Sequence, residues 1–237
     1  MKELLERYGE LLREVDRWFS GCVRRHGDLI ACGRGCSACC RGLFDITILD
    51  ALYLRSGIDA LPEAIKQSLR LKAADSLANL SACNPSFAEP WILNRIPEDE
   101  WEELMPESDE TPCLLLAEDG SCLVYGQRPM TCRLNGIPLL DVSGEAVMDE
   151  CCTLNFRGVD AALPEDIRHP FLDLFAQELL LFREVTRKLL GEAVNEMDTF
   201  IPAAVMIDAG MIRAFRPSLI SCTQPKKHSN EGRPVPG

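Results

Sequence analysis

The chain has no apolar run at its start, because Met1-Lys-Glu-Leu-Leu-Glu-Arg carries charges where a secretory signal needs a hydrophobic stretch. Nor does any segment approach the roughly 18 uninterrupted apolar residues of a membrane helix. Even Leu179-Leu-Leu-Phe182 is flanked by Glu178 and Arg183. These absences predict a soluble, cytoplasmic protein with no membrane partner. Basic residues are also scarce: a formal charge of -12 and a pI near 4.8 leave little Lys and Arg to displace counterions from a phosphate backbone. Nucleic acid is therefore excluded as a general partner. There is no P-loop and no Gly-x-Gly-x-x-Gly after a strand, and Gly33-Arg-Gly35 alone is not one, so ATP and dinucleotide chemistry has no local support. No S-adenosylmethionine pocket is visible. His26, His169 and His228 sit in unrelated contexts, none beside a cysteine that would suggest a thiol–imidazole pair. No internal repeat is present.

Cysteine, by contrast, is abundant. Four of the twelve fall in Cys32-Gly-Arg-Gly-Cys36-Ser-Ala-Cys39-Cys40, and Cys113, Cys122, Cys132, Cys151 and Cys152 lie within forty residues of one another. In a reducing cytosol thiols rarely stay paired, so this pattern points to metal binding rather than a disulfide framework. Two residues between Cys36 and Cys39 let both sulfurs close on one ion, as in zinc ribbons and iron–sulfur loops. Adjacent side chains in an extended or turning backbone tend to diverge, so Cys39 and Cys40 suggest a polynuclear cluster or two nearby sites. If the segment were helical, positions 32, 36, 39 and 40 would share one face. Cys22, Cys83 and Cys222 read as small core or surface residues.

The fold class is mainly α with a small β-hairpin, an irregular cysteine-rich core flanked by helices. Apolar residues at Leu4, Tyr8, Leu11, Val15, Trp18 and Cys22 predict an amphipathic N-terminal helix within 1–29. Gly33 and Gly35 give the cysteine loop backbone freedom. Thr47 and Asp50 resemble a capping box opening a short helix that Gly57 can end, and Pro62 opens another to about residue 80. Two short apolar runs around Asp119-Gly120 predict a hairpin across which Cys113 and Cys122 face each other, and Ser143-Gly144 marks a second hairpin ending near Cys151. A helix from about 164 to 190 has Phe171, Leu174, Phe175, Leu179, Phe182, Val185 and Leu189 on one side and Gly191 as its stop, with a further helix at about 200–214. The expected divisions are 1–29, a cysteine-cluster domain at 30–155, a helical region at 156–215 and a disordered tail at 216–237.

The block Cys122-Leu-Val-Tyr125-Gly-Gln-Arg128-Pro129-Met-Thr-Cys132-Arg133, following Cys36-Ser-Ala-Cys39-Cys40, resembles the zinc- or iron-chelating cysteine-cluster family, the CxxCxxCC or YkgJ-type family. The resemblance covers roughly residues 30 to 155. It implies about eight cysteine ligands: Cys32, Cys36, Cys39, Cys40, Cys113, Cys122, Cys132 and one of Cys151 or Cys152. Flagellin lysine methylases resemble the same family. This chain departs from the pattern in having three residues between Cys32 and Cys36, and Asn135-Gly136 where many relatives have a proline.

Arg128 and Arg133 have two readings. A guanidinium beside cysteinates offsets their excess negative charge, whereas a helix-start arginine pairs with any local carboxylate. Tyr125 reads as a packing residue rather than a catalytic phenol. The segment 97–110, eight of whose fourteen residues are acidic, reads as a solvated loop with a short helix, or as a docking face for a basic protein partner or a hard-cation site. The sequence thus describes a metal-binding protein holding an iron–sulfur cluster, slightly preferred for the adjacent cysteines, or zinc. A redox enzyme or protein methylase, and a metal-stabilised interaction module using the acidic segment or the long C-terminal helix, are the alternatives.

Overall fold

The N-terminal apolar stripe forms helix α1, Lys2–His26, in the computed structural model of the chain, which describes residues 1–33, 35–106, 108–148, 151–158 and 163–215. The expected tail lies outside the described residues. Strand β1 (Asp45–Thr47) leads into helix α2 (Ile48–Asp59), and helix α3 (Glu63–Cys83) follows Pro62. Within the acidic segment, a single 3-10 turn precedes helix α4 (Trp101–Leu104), whose Leu104 is buried and whose Trp101 indole donates to the Ile96 carbonyl at 3.1 Å. Helix α5 (Met130–Leu134) carries Cys132. Strands β2 (Leu139–Leu140) and β3 (Ala146–Met148) pair antiparallel around Ser143-Gly144, as expected.

Three boundaries differ from the sequence reading. Gly57 does not end α2; it lies inside the helix, where a Cβ would come 2.8 Å from the Gln127 side chain, so it serves close approach rather than termination. The 164–190 helix is broken: residues 165–167 form a 3-10 turn, and helix α6 (Phe171–Leu190) starts after Pro170 and stops at Gly191, whose φ is 86°. On α6 Leu181 rather than Leu179 joins the buried side, Leu179 being 37% exposed. The last helical stretch is divided into β4 (Asp198–Phe200), α7 (Ile201–Met206) and α8 (Ala209–Ala214), because Asp208 caps α8 by accepting from the Gly210 and Met211 amides. Strand β4 pairs antiparallel with β1, a long-range ribbon that short-range periodicity does not reveal.

Helix α1 packs against α2, α5 and α6, and α7 packs against α2 and α3. Trp18 anchors this arrangement: its indole donates to the Ile167 carbonyl at 2.7 Å and meets Phe171 edge-on at 4.9 Å between ring centroids. Beneath it lies a polar seam. Tyr8 Oη stands 2.7 Å from Asp50 Oδ1 and 2.9 Å from Glu178 Oε1. One hydroxyl hydrogen cannot serve two carboxylates. Burial beside Asp50 raises the Glu178 carboxyl to about 8, so at neutral pH Glu178 carries the proton that completes the set. Burial similarly raises Asp198, held by Asn94, to about 7.

Both acids ionise near 4 in the unfolded chain, so between pH 4 and 8 the folded chain binds more protons. The stabilisation is therefore complete at acid pH and lost as pH rises through 7 and 8. The stability of the metal-free chain, read from urea denaturation, should fall between pH 5 and 8 by ~6 kcal/mol. Glu178→Gln should flatten much of that slope, and an unchanged slope would show Glu178 to be ionised throughout.

Candidate metal centre

The cysteine loops are held by backbone pairing and by two side-chain hubs. After Cys40 the chain lies beside the segment before Cys113: the Cys113 amide donates to the Cys40 carbonyl at 2.9 Å, Gly42 donates to Thr111, and Arg41 bridges Pro112. The chain then turns at Asp119-Gly120, with Leu123 donating to the Leu115 carbonyl and Leu116 opposite Cys122. The expected hairpin is thus present as a short ribbon, but its register puts Leu116 across from Cys122. Cys113 sits at the foot of the ribbon and pairs with Cys40 instead.

The first hub is Asn155. Its Nδ2 donates to Cys32 Sγ at 3.2 Å and to the Gly136 carbonyl, its Oδ1 accepts from the Ala31 amide, and its own amide donates to the Cys152 carbonyl at 3.0 Å. The side chain thereby ties the first cysteine segment to the turn after α5, and the backbone of the same residue holds the turn that follows Cys152. Gly136 has a φ of 127°, and a Cβ there would lie 3.2 Å from Cys32 Sγ. The absence of a side chain at Gly136 is therefore what admits Cys32. Gly136→Ala should cost ~1–3 kcal/mol of stability and lower metal retention, measured by denaturation and by metal content. Full retention of both would show that Cys32 has room to spare.

The second hub is Asp16 of α1, which accepts from Arg133 Nη1 and from Arg128 Nη2, the latter at 3.4 Å. Arg133, 3% exposed, also donates to the carbonyls of Arg128 at 3.1 Å and Gly126 at 2.7 Å, folding the 126–133 turn against α1. Arg128 lies with its guanidinium 4.0 Å above the Tyr125 ring, which is 60% exposed and does not enter the core. Both arginines pair with the Asp16 carboxylate of α1. The partner carboxylate is remote rather than local, while the Arg128 charge acts on Cys39, Cys122 and Cys132, and that of Arg133 on Cys122. Arg128 Nε is buried without a hydrogen-bond acceptor.

Cys36 is exposed, and Cys32, Cys39, Cys40, Cys113, Cys122, Cys132, Cys151 and Cys152 are partly buried, all as free thiols. Cys22 is buried in the core and Cys83 exposed, while Cys222 lies outside the described residues. Burial raises the thiols of Cys32, Cys113, Cys122, Cys132 and Cys151. A hydrogen bond between neighbours raises Cys39 and lowers Cys40, so the adjacent sulfurs meet rather than diverge. Among the described residues, no three His, Cys, Asp or Glu side chains converge on a single coordination point. The donor set nevertheless fits a thiophilic metal in its chemistry: nine unpaired thiols, a guanidinium whose charge acts on three of them, and Asn155 donating to a fourth. His26 pairs with Asp166 at 2.7 Å, and His169 packs between Trp18 and Phe171.

Sequence reasoning missed Asn155 and Asp16. Asn155 stands three residues after Cys152, and Asp16 follows a core position of α1, but neither carries a spacing signal. A shallow cleft of about 480 Å³ on α1, lined by Arg13, Asp16, Arg17, Ser20 and Arg24, contains no cysteine. No helix of the described residues is long and apolar enough to cross a membrane.

Residues 31–153 match the family model described as CxxCxxCC, "Putative zinc- or iron-chelating domain". No curated protein and no solved structure matches the chain.

Proposed function

The chain belongs to the CxxCxxCC family, whose model spans just over half of its length, and from that premise we propose that it is a cytoplasmic metal-binding protein holding an iron–sulfur cluster through cysteine thiolates. Zinc on the same ligands is the close alternative. The observation that carries the reading is the set of free thiols on four separate segments, tied to one another by the backbone bond between Cys113 and Cys40 and by Asn155. Cys32, Cys36, Cys39, Cys40, Cys113, Cys122, Cys132 and one of Cys151 or Cys152 would hold the metal. Iron–sulfur is preferred because adjacent cysteines at 39 and 40 suit a polynuclear centre. When bound, an iron–sulfur centre supplies one-electron chemistry and zinc supplies a fixed crosslink.

The protein's own part is to orient and to balance charge. Asn155 donates to Cys32 Sγ, which favours its thiolate. Arg128 offsets the negative charge that several thiolates leave on a metal. The raised thiols must shed protons to bind, so affinity rises with pH. An enzyme role, redox or protein-lysine methylation, rests on the resemblance to YkgJ-type proteins and flagellin methylases alone, and no residue is assigned to catalysis.

Anaerobic purification followed by metal and acid-labile sulfide analysis tests the reading against a Cys36→Ser/Cys39→Ser variant. Iron with matching sulfide and broad visible absorbance, diminished in the variant, is expected. Zinc without sulfide would make the centre structural, and no metal in the wild-type chain would overturn metal binding. A second reading, a metal-stabilised interaction module, is favoured by Leu172 and Leu180 on α6, 62% and 57% exposed. Loss of a partner complex on chelation, without turnover, would support it.

A further inference from the structure

We propose that the cleft between the second half of α1 and residues 165–169 binds a phosphate-class oxyanion, either free phosphate or a small phosphate monoester, with Arg17 and Arg24 as its principal ligands and Arg25 and Arg168 beside them. No cysteine lines this cleft, and the site is independent of the metal centre.

The chain carries a formal charge of -12, yet this cleft of about 300 Å³ is lined by four arginines against two carboxylates, Glu14 and Asp166. Asp166 is already engaged, by Arg25 Nε at 2.8 Å and by His26 at 2.7 Å. Arg168 meets the exposed Glu165 at 3.4 Å, through Nη2 alone. Arg17 and Arg24, both exposed, have no ion pair or side-chain hydrogen bond among the described residues, and both also line the adjoining cleft of about 480 Å³. Arg24 stands in the last turn of α1, where a cation answers the helix dipole. Arg17 lies more than two turns before that end, so the helix does not account for it.

Two further observations distinguish the cleft from a solvated basic face. A Cβ on Gly21 would lie 3.2 Å from Arg25 Nη1 and 3.8 Å from both Arg24 Nη2 and Arg25 Nη2. The missing side chain thus lets two guanidiniums converge on the helix surface, where their mutual repulsion favours an anion between them. Arg168 Nε and His169 Nε2, on consecutive residues of the cleft wall, are both buried without a hydrogen-bond partner, and Glu14 stands 3.5 Å from His169 Nε2 without bonding it. A buried donor left unpaired is costly. Arg168 Nε always carries a hydrogen, and His169 Nε2 carries one in the tautomer that donates there, so an oxyanion would satisfy both. The buried Trp18 lines the same cleft, and a wall of low polarity strengthens the attraction. Several forked guanidiniums around one anion suit phosphate, whose oxygens accept from many directions, better than a planar carboxylate.

Calorimetric titration of the anaerobically purified full chain, at low ionic strength, tests the site with inorganic phosphate, phenyl phosphate and acetate as probes. Inorganic phosphate or phenyl phosphate should bind saturably at one per chain, the tighter of the two identifying free phosphate or an ester as the ligand type. Acetate binding as tightly as either would overturn the phosphate class, and no saturable binding of any probe would overturn the site. Arg17→Gln and Arg24→Gln should each weaken phosphate binding about tenfold, with metal content and urea midpoint unchanged. Arg13→Gln, on the adjoining cleft, should leave the affinity as it is. Equal weakening in all three, or in none, would overturn the placement. Gly21→Ala should raise the urea midpoint, because alanine is the better helix former, while lowering the affinity, a combination that loss of structure cannot produce.

Discussion

Arg133→Met is expected to destabilise the metal-free chain by ~3 kcal/mol, as read from urea denaturation. The side chain is almost wholly buried, and its donors satisfy Asp16 and the carbonyls of Gly126 and Arg128. Methionine fills much of the volume but supplies no donor, so the Asp16 carboxylate and the carbonyls of Gly126 and Arg128 lose the partner that joins them. Asp16 is more than a third exposed, and this keeps the effect below that of stranding a fully buried charge. Arg133→Lys should recover little, because one ammonium on a flexible stem cannot span acceptors arranged for a planar fork. The Cys122 to Cys132 turn would loosen with it, and metal content should fall in parallel. A loss below 1 kcal/mol would show that Asp16 and the turn are held by packing alone.

Asp50→Ala should be the most damaging single substitution in the helical frame, at ~3–5 kcal/mol. Asp50 is 1% exposed and accepts from Tyr8 Oη at 2.7 Å, from the Met130 amide at 2.8 Å and from Thr47 Oγ1 at 3.3 Å. Alanine leaves the Met130 amide and the Thr47 hydroxyl without this acceptor and Tyr8 Oη with Glu178 alone. Met130 is the first residue of α5, so the substitution also unties the start of the helix that carries Cys132. Tyr8→Phe removes one donor along with its need for a partner and should cost ~1 kcal/mol. Comparable midpoints for the two variants would show that Asp50 is not the hub the distances describe.

The helices were legible because their signals are local. The α1 stripe, Pro62 before α3, Gly191 after α6 and the Thr47 cap each declare themselves within a turn or two. The Thr47 and Asp50 pair shows where that legibility ends: Thr47 does accept from the Asp50 amide at 3.1 Å, but the carboxylate is directed inward to Tyr8 and Met130, which lie far away in sequence. The same reason hid the pairing of β1 with β4. In the candidate centre, cysteine spacing nominates the donors, whereas the loops that carry them are positioned by Asn155, Asp16 and the room at Gly136. Those are single polar or small residues whose importance comes only from what the fold brings beside them.

The two ends of the chain close one frame. Arg7 meets Glu184 across 177 residues of sequence, and Tyr8 meets Glu178 across 170. Contacts of such separation carry a large loop-closure cost and form late, whereas α1 and the hairpin turns form early. On the ribosome every thiol from Cys32 to Cys152 emerges before α6 does. A metal held by these thiols would therefore meet them on a half-built protein, and the order of synthesis itself leaves such a centre open to loading before α6 seals α1.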